Sequence, residues 1–292
     1  MEELQMATGV EINRSNITLP ADVSAEILAK TQTDSAVMKL ARKVALPGRG
    51  AAIQTITSDP EAAWVGETVA KPVARPGLAT AMMQPYKLAV IVPFSNEFRR
   101  DADFLYEALV DRLPLALATK FDSTVIGSTA PGSNFTVLGS CETQELGTNA
   151  YAALVAANAD IAENGGDMNG IALAPAGKAA LLGSVDLQGR PIFNTAAEGA
   201  VPYVLGAPTV ISKGVADPDN NIVGIAGDWT QAMYGTVEGV KIDISDQATL
   251  ADGDDLINLF QQNMFAVRAE IELGFVADDD CFNLLTYTPS ES

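Results

Sequence analysis

The segment Phe265-Ala266-Val267-Arg268-Ala269-Glu270-Ile271-Glu272-Leu273-Gly274-Phe275 carries the cleanest two-residue alternation in the chain. Phe265, Val267, Ala269, Ile271, Leu273 and Phe275 fall on one side of an extended backbone; Arg268, Glu270 and Glu272 fall on the other. Successive side chains of a strand point to opposite faces, so the pattern predicts an antiparallel strand with one face on a core and one face charged. Val240, Ile242 and Ile244, alternating with Lys241, Asp243 and Ser245, predict a second strand of the same kind. Tyr86, Leu88, Val90 and Val92, alternating with Lys87, Ala89 and Ile91, predict a strand with at least one well-buried face.

Helical spacing fills the ground between these strands. Leu105, Leu109, Leu113, Leu117, Phe121 and Val125 recur every fourth residue after the N-cap candidates Asp101 and Asp103, which predicts a long helix ending near Gly127. Pro114 sits inside that pattern and predicts a kink or a break. From about Asn149 to Asp228 helices and short strands alternate as in an α/β unit. Tyr151, Leu154, Val155, Asn158, Ile161 and Ala162 share a helix stopped by Gly165-Gly166, Ile171 to Ala174 is a short buried strand, and Pro175 opens a short helix. Val204-Leu205 and Thr209 to Ile211 are extended, and Asp217 to Asn221 is a turn cluster. The fold class is α+β.

The first 50 residues hold too little apolar surface for a core of their own. Val23, Ile27 and Leu28, then Val37, Met38, Leu40 and Ala41 behind Asp34-Ser35, predict one or two short helices in an arm that docks on something else. From Ile53 to Pro93 two extended runs flank a break containing Lys71, Pro72, Arg75, Pro76 and Gly77. The break is too long for a tight hairpin turn, so the region reads as a protruding two-stranded loop, which is marginal without a partner.

Composition excludes much chemistry. The chain of 292 residues contains no histidine, which removes Ser-His-Asp and Cys-His catalysis and every histidine metal site. Phosphate-loop, dinucleotide-binding and zinc spacings are absent. Cys141 and Cys281 form no disulfide framework, and no apolar run reaches the roughly 20 residues of a membrane span. Against 18 bases stand 37 acids, for a net charge of −19, whereas a stand-alone nucleic-acid binder is normally basic. From Gly214 to Ser292 fifteen acids face only Lys241 and Arg268. That excess serves solubility, or it forms a surface that faces a polyanion without adhering to it. The acidic runs 252–255 and 278–280 lack calcium-loop spacing and read as solvated turns. Trp64 with Glu67, and the pair Arg99-Arg100, are either interface anchors or an ordinary half-buried Trp with solvated arginines.

One ordered set of motifs is specific. It runs Ala63-Trp64-Val65-Gly66-Glu67, Tyr86-Lys87-Leu88-Ala89 followed by Ser95, Asp103 and Asp122 to Gly127 at the two ends of the long helix, Leu187-Gln188-Gly189-Arg190-Pro191, Leu205-Gly206-Ala207-Pro208-Thr209-Val210, Gly227-Asp228-Trp229, Arg268-Ala269-Glu270, and Val276 through Leu284. Between about Leu19 and Tyr287 this order resembles the major capsid proteins of tailed phages, with Gln188 replacing the family's usual acid and Cys281-Phe282 standing where alanine-phenylalanine is common.

The resemblance implies a Hong Kong 97-like fold. It divides the chain into an N-arm (1–50), an E-loop with its base strands (51–93), a P-domain with the long spine helix (94–148), an A-domain (149–238) and return strands to the P-domain (239–292). It implies a shell protein that self-assembles as hexamers and pentamers round double-stranded DNA, located in the virion and assembled in the host cytoplasm. No catalytic, cofactor-binding or metal residue is expected. The residues expected at assembly interfaces are Trp64, Glu67, Lys71, Arg75, Arg99, Arg100, Arg190 and Arg268. A portal and a decoration protein are implied partners. The initiating Met1 suggests a separate scaffolding protein rather than a fused N-terminal one. Two alternatives share some of these features: an encapsulin-type cellular compartment, and an α/β enzyme working through carboxylates.

Overall fold

The computed structural model describes residues 21–58, 62–65, 71, 73, 77–97, 102–147, 149–185, 190–193, 203–253 and 255–288. The chain opens with helices α1 (Ala21–Asp34) and α2 (Ala36–Leu40), then strands β1 (Arg42–Ala45), β2 (Ala51–Ser58), β3 (Gly77–Met83) and β4 (Tyr86–Ser95). The long helix α3 (Ala102–Ile126) follows, then β5 (Glu142–Glu145), α4 (Ala150–Glu163), β6 (Gly170–Leu173) and α5 (Pro175–Gly183). The rest is strand: β7 (Tyr203–Val204), β8 (Ala207–Ile211), β9 (Ile222–Gly227), β10 (Met233–Thr236), β11 (Lys241–Ser245), β12 (Thr249–Asp252), β13 (Asp255–Asn258), β14 (Met264–Val276) and β15 (Phe282–Thr286).

The alternating segment is β14, and it organises the first sheet. On one side it pairs antiparallel with β4, from Met264 opposite Ser95 to Leu273 opposite Tyr86. On the other side it pairs with β11 and β10, and β1 extends the sheet parallel to β10. The inner residues from Phe265 to Phe275 are buried as the alternation requires. Helix α3 lays Leu113, Leu117, Phe121 and Val125 in the same core, where Phe121 meets Phe135 and Phe275 edge-on at 6.3 Å each. The helix runs unbroken through Pro114. A proline inside a helix forfeits one hydrogen bond and crowds the preceding turn, but Leu113, Pro114 and Leu117 are all buried, and that packing holds the helix together. The N-terminal segment docks on its own chain: Ile27, Val37, Met38 and Ala41 complete this core.

A second sheet has the order β5-β15-β9-β6-β8-β7. All six residues of β9 are buried, and Leu154, Ile161, Leu173, Leu181 and Leu285 pack from α4, α5 and the strands into one apolar cluster. The strands of segment 239–292 are shared between the two sheets. β11 and β14 join the first sheet, while β15 lies between β5 and β9 in the second.

Two hairpins stand apart from both sheets. Among the described residues β2 and β3 pair with each other alone, from Ala51 opposite Met83 to Ser58 opposite Gly77. The returning strand of this ribbon is thus Gly77–Met83, whereas the run from Tyr86 belongs to β4 and the first sheet. Gln84-Pro85 separates the two, and proline, lacking an N–H, cannot continue a ladder. β12 and β13 form the second hairpin, with Gly253 at φ +62 in the acidic turn.

Candidate assembly surface

The outer face of the first sheet is the charged side that the alternation calls for. Lys87 Nζ on β4 lies 2.8 Å from Glu270 Oε1 and 3.5 Å from Glu272 Oε1 on β14. Arg268 donates to Asp243 Oδ2 on β11 at 2.5 Å, and its Nε is 4.0 Å from Glu270. The Lys87 hydrogen bond holds the Glu270 carboxyl below its ordinary value, and the bond to Asp243 raises the Arg268 guanidinium further. Exposed pairs of this kind add little stability, but they order a striped surface of alternating sign across three strands.

The ribbon has a different character. Trp64 has 105% of its reference surface exposed and Val73 has 84%, so neither side chain contributes to a core of this chain. Lys71 is exposed between them. A fully solvated tryptophan forgoes about 1.5–3 kcal/mol of burial that a partner surface can supply. This exposure removes the half-buried reading of Trp64. Arg190 is exposed beside Pro191, which bridges to Val185 after α5. The four sequence-proposed interface residues that are described belong to different segments: Trp64 and Lys71 lie between β2 and β3, Arg190 follows α5, and Arg268 is on β14 with acids of its own chain. Glu67, Arg75, Arg99 and Arg100 lie outside the described residues.

Beneath these surfaces the buried carboxylate of Asp122 joins three distant segments, and sequence analysis missed its role. Ser35 Oγ donates to its Oδ1 at 2.6 Å and Ser212 Oγ to its Oδ2 at 2.8 Å. The backbone N–H groups of Ala36 and Val37 add bonds of 2.9 and 3.2 Å. Ser35 is also the N-cap of α2, accepting from Met38 N–H at 3.0 Å. Burial pushes the Asp122 carboxyl above its ordinary value, and the four donors only partly offset it. The available signal was an acid directly beside the apolar stripe position Phe121.

A second knot underlies Gly227-Asp228-Trp229. Asp228 accepts from the Thr230 hydroxyl at 2.6 Å, the Thr230 and Asp167 N–H groups at 3.0 and 3.3 Å, and the Asn169 amide at 2.5 Å. Burial pushes this carboxyl up, but the four bonds outweigh it and leave the group below its ordinary value. Trp229 Nε1 donates to the Gly170 carbonyl at 2.9 Å, and its ring meets Phe282 edge-on at 5.2 Å. The motif is therefore the joint between β9, β6 and β15. Both cysteines are buried, and burial raises the thiols of Cys141 to about 12 and Cys281 to about 11, so neither is an active nucleophile. Among the described residues no group of three or more Cys, Asp or Glu is placed to hold a metal ion.

Comparison with known proteins bears on these features as a set. The model of the phage capsid family matches residues 15–286. A protein of Mycobacterium phage L5 named "Probable major capsid protein gp17" is 31% identical over 292 aligned positions, covering 92% of this chain and 89% of its own. Its namesake in Mycobacterium phage D29 is 27% identical, with the same coverage of both chains. Among solved structures, a chain of Gordonia phage Cozz superposes with a TM-score of 0.71 at 21% identity, covering 88% of this chain and 87% of that one. A chain of Mycobacterium phage Adephagia gives 0.69 at 20% identity, covering 88% and 91%. The shared architecture is the α+β Hong Kong 97-like fold, and neither the cellular compartment nor the carboxylate enzyme is favoured. With its family model spanning nearly the whole sequence and its two sheets, long helix and ribbon in the family's arrangement, this chain belongs to the phage capsid family.

Proposed function

We propose that this chain is the major capsid protein of a tailed double-stranded DNA phage and that its copies associate as hexamers and pentamers into an icosahedral shell. The observation that carries the reading is the family match over residues 15–286, joined to a ribbon whose Trp64 and Val73 have no core to enter. In this reading residues 1–50 are the N-arm, 51–93 the E-loop and its base, 94–148 the P-domain with α3 as spine, 149–238 the A-domain, and 239–292 the returning strands. The shell forms in the host cytoplasm with a scaffolding protein and a portal and becomes part of the virion. It encloses DNA without reading its sequence: a net charge of −19 per copy is repelled by phosphate, and that repulsion reaches only about 8 Å in physiological salt.

Expression of the full chain with scaffolding and portal partners, followed by sedimentation and electron microscopy, tests the reading. Closed shells built of five- and six-fold clusters are expected. A chain that stays monomeric with those partners supplied would overturn it.

A further inference from the structure

Residues 35–58 include Lys39, Arg42, Lys43 and Arg49 and not one Asp or Glu, in a chain whose acids outnumber its bases by two to one. All four side chains are exposed, and none has an ion-pair partner among the described residues. Arg42 donates to the thioether of Met233 at 2.9 Å, a weak acceptor that leaves its charge unanswered. Lys39 and Arg42 rim an open cleft of about 560 Å³, walled by Leu40, Pro208 and Trp229 and bordered by Asn169 and Thr230. The cleft thus combines an apolar wall with two cations that no described acid pairs with.

The opposite combination occurs on the β12–β13 hairpin. Among the described residues this hairpin pairs with no other strand, and a lone two-stranded ribbon is marginal in water. Asp252 and Asp255 flank its turn, both exposed and both without a cation partner among the described residues. Leu256 is 71% exposed and Phe260 78%. From Asp252 to Phe260 the hairpin and the turn after it therefore offer acids and large apolar side chains together, opposite to the cleft in charge and matched to its apolar wall. None of the described residues of the hairpin lines the cleft of its own chain.

We propose that the acidic tip of the β12–β13 hairpin of one copy docks in the Lys39–Arg42 cleft of a second copy, with Phe260 or Leu256 covering its apolar wall. Cleft and hairpin are different surfaces of one chain, so the contact is either reciprocated across a two-fold axis or propagated into rings or lattices. It also brings unpaired charges of opposite sign together, which eases assembly of subunits that repel one another through their net charge. The inference rests on the reading of the chain as a shell subunit.

The experiment is a charge swap in the full chain, with wild type assembled in parallel. Lys39→Glu with Arg42→Glu, and separately Asp252→Lys with Asp255→Lys, are each expected to cut shell yield about tenfold or more, since losing about 1.4 kcal/mol at a contact is a tenfold loss in affinity. The four substitutions combined restore complementary charge in every copy and are expected to restore shells. Circular dichroism and melting of the unassembled variants separate misfolding from lost contact; if a cleft variant fails to fold, Lys39→Gln with Arg42→Gln replaces it and is expected to weaken assembly in the same direction. Folded double variants that assemble normally, or a folded quadruple variant that does not assemble while wild type does, overturn the docking. Cleft variants that assemble but lose salt-sensitive DNA retention also overturn it and assign the cations to nucleic acid. Failure of wild type itself strikes the shell reading instead.

Discussion

Ser35 and Asp122, 87 positions apart in sequence, share a buried hydrogen bond of 2.6 Å from the seryl hydroxyl to the carboxylate. Through it the cap of α2 is anchored on α3, and through Ser212 the same carboxylate reaches the end of β8. One side chain thus holds the N-terminal segment, the long helix and the second sheet in register.

Replacement of Asp122 tests how much that anchor contributes. Asp122→Ala strands two hydroxyls and two amides in a dry interior, and each buried unsatisfied group costs about 1–3 kcal/mol. A loss of about 3–5 kcal/mol of subunit stability is expected. Asp122→Asn keeps one acceptor oxygen and should cost less. Urea denaturation of the unassembled subunit measures both, and a negligible change in Asp122→Ala would show the cluster to be slack.

Gly214 lies where the turn after β8 presses on α3. A Cβ there would fall 2.6 Å from the Thr119 carbonyl oxygen and 2.8 Å from Asp122 Cβ. Neither backbone nor a clamped carboxylate can step aside, so Gly214→Ala is expected to lose about 1–3 kcal/mol and to lower the melting temperature. The control Gly183→Ala, with nothing within 4 Å of the new carbon, should leave it unchanged.

Asp228 makes a pH prediction with a definite sign. Its folded carboxyl lies below the ordinary value of 3.8. Such a group adds stability that is fully present above 3.8 and is lost as pH falls from there through the lower folded value. Asp228→Asn should therefore be less stable than wild type at neutral pH, with the gap closing under acid. Denaturation midpoints between pH 7 and pH 2 check this, and a constant gap would contradict it.

Trp64 should separate folding from assembly. Because its side chain is fully exposed, Trp64→Ala is expected to alter subunit stability by no more than about 0.5 kcal/mol. If the ribbon clasps a neighbour, the same substitution removes a large anchor and shell yield should fall sharply. Melting curves read the first effect and electron microscopy the second; normal shells would remove Trp64 from the interface.

Local structure is written in the order of the residues. The alternation from Phe265 to Phe275 specified β14 and its charged face, the four-residue spacing from Leu105 to Val125 specified α3, and Pro175 marked the start of α5, because helix and strand periods are written in neighbouring residues. The absence of histidine and the acid excess bounded the chemistry in the same direct way. Only the tertiary structure decided which elements meet. It paired β3 rather than β4 with β2, placed β15 in the second sheet, carried α3 through Pro114, left Trp64 in solvent, and gathered Ser35, Asp122 and Ser212 round one carboxylate. The physical reason is that a strand's period does not name its partner and a serine's hydroxyl does not name its acceptor. Both are fixed by packing across long gaps, 191 residues between Arg42 and Met233 in the first sheet and 90 between Ser212 and Asp122, where burying one polar group is tolerable only if several distant donors arrive at it together.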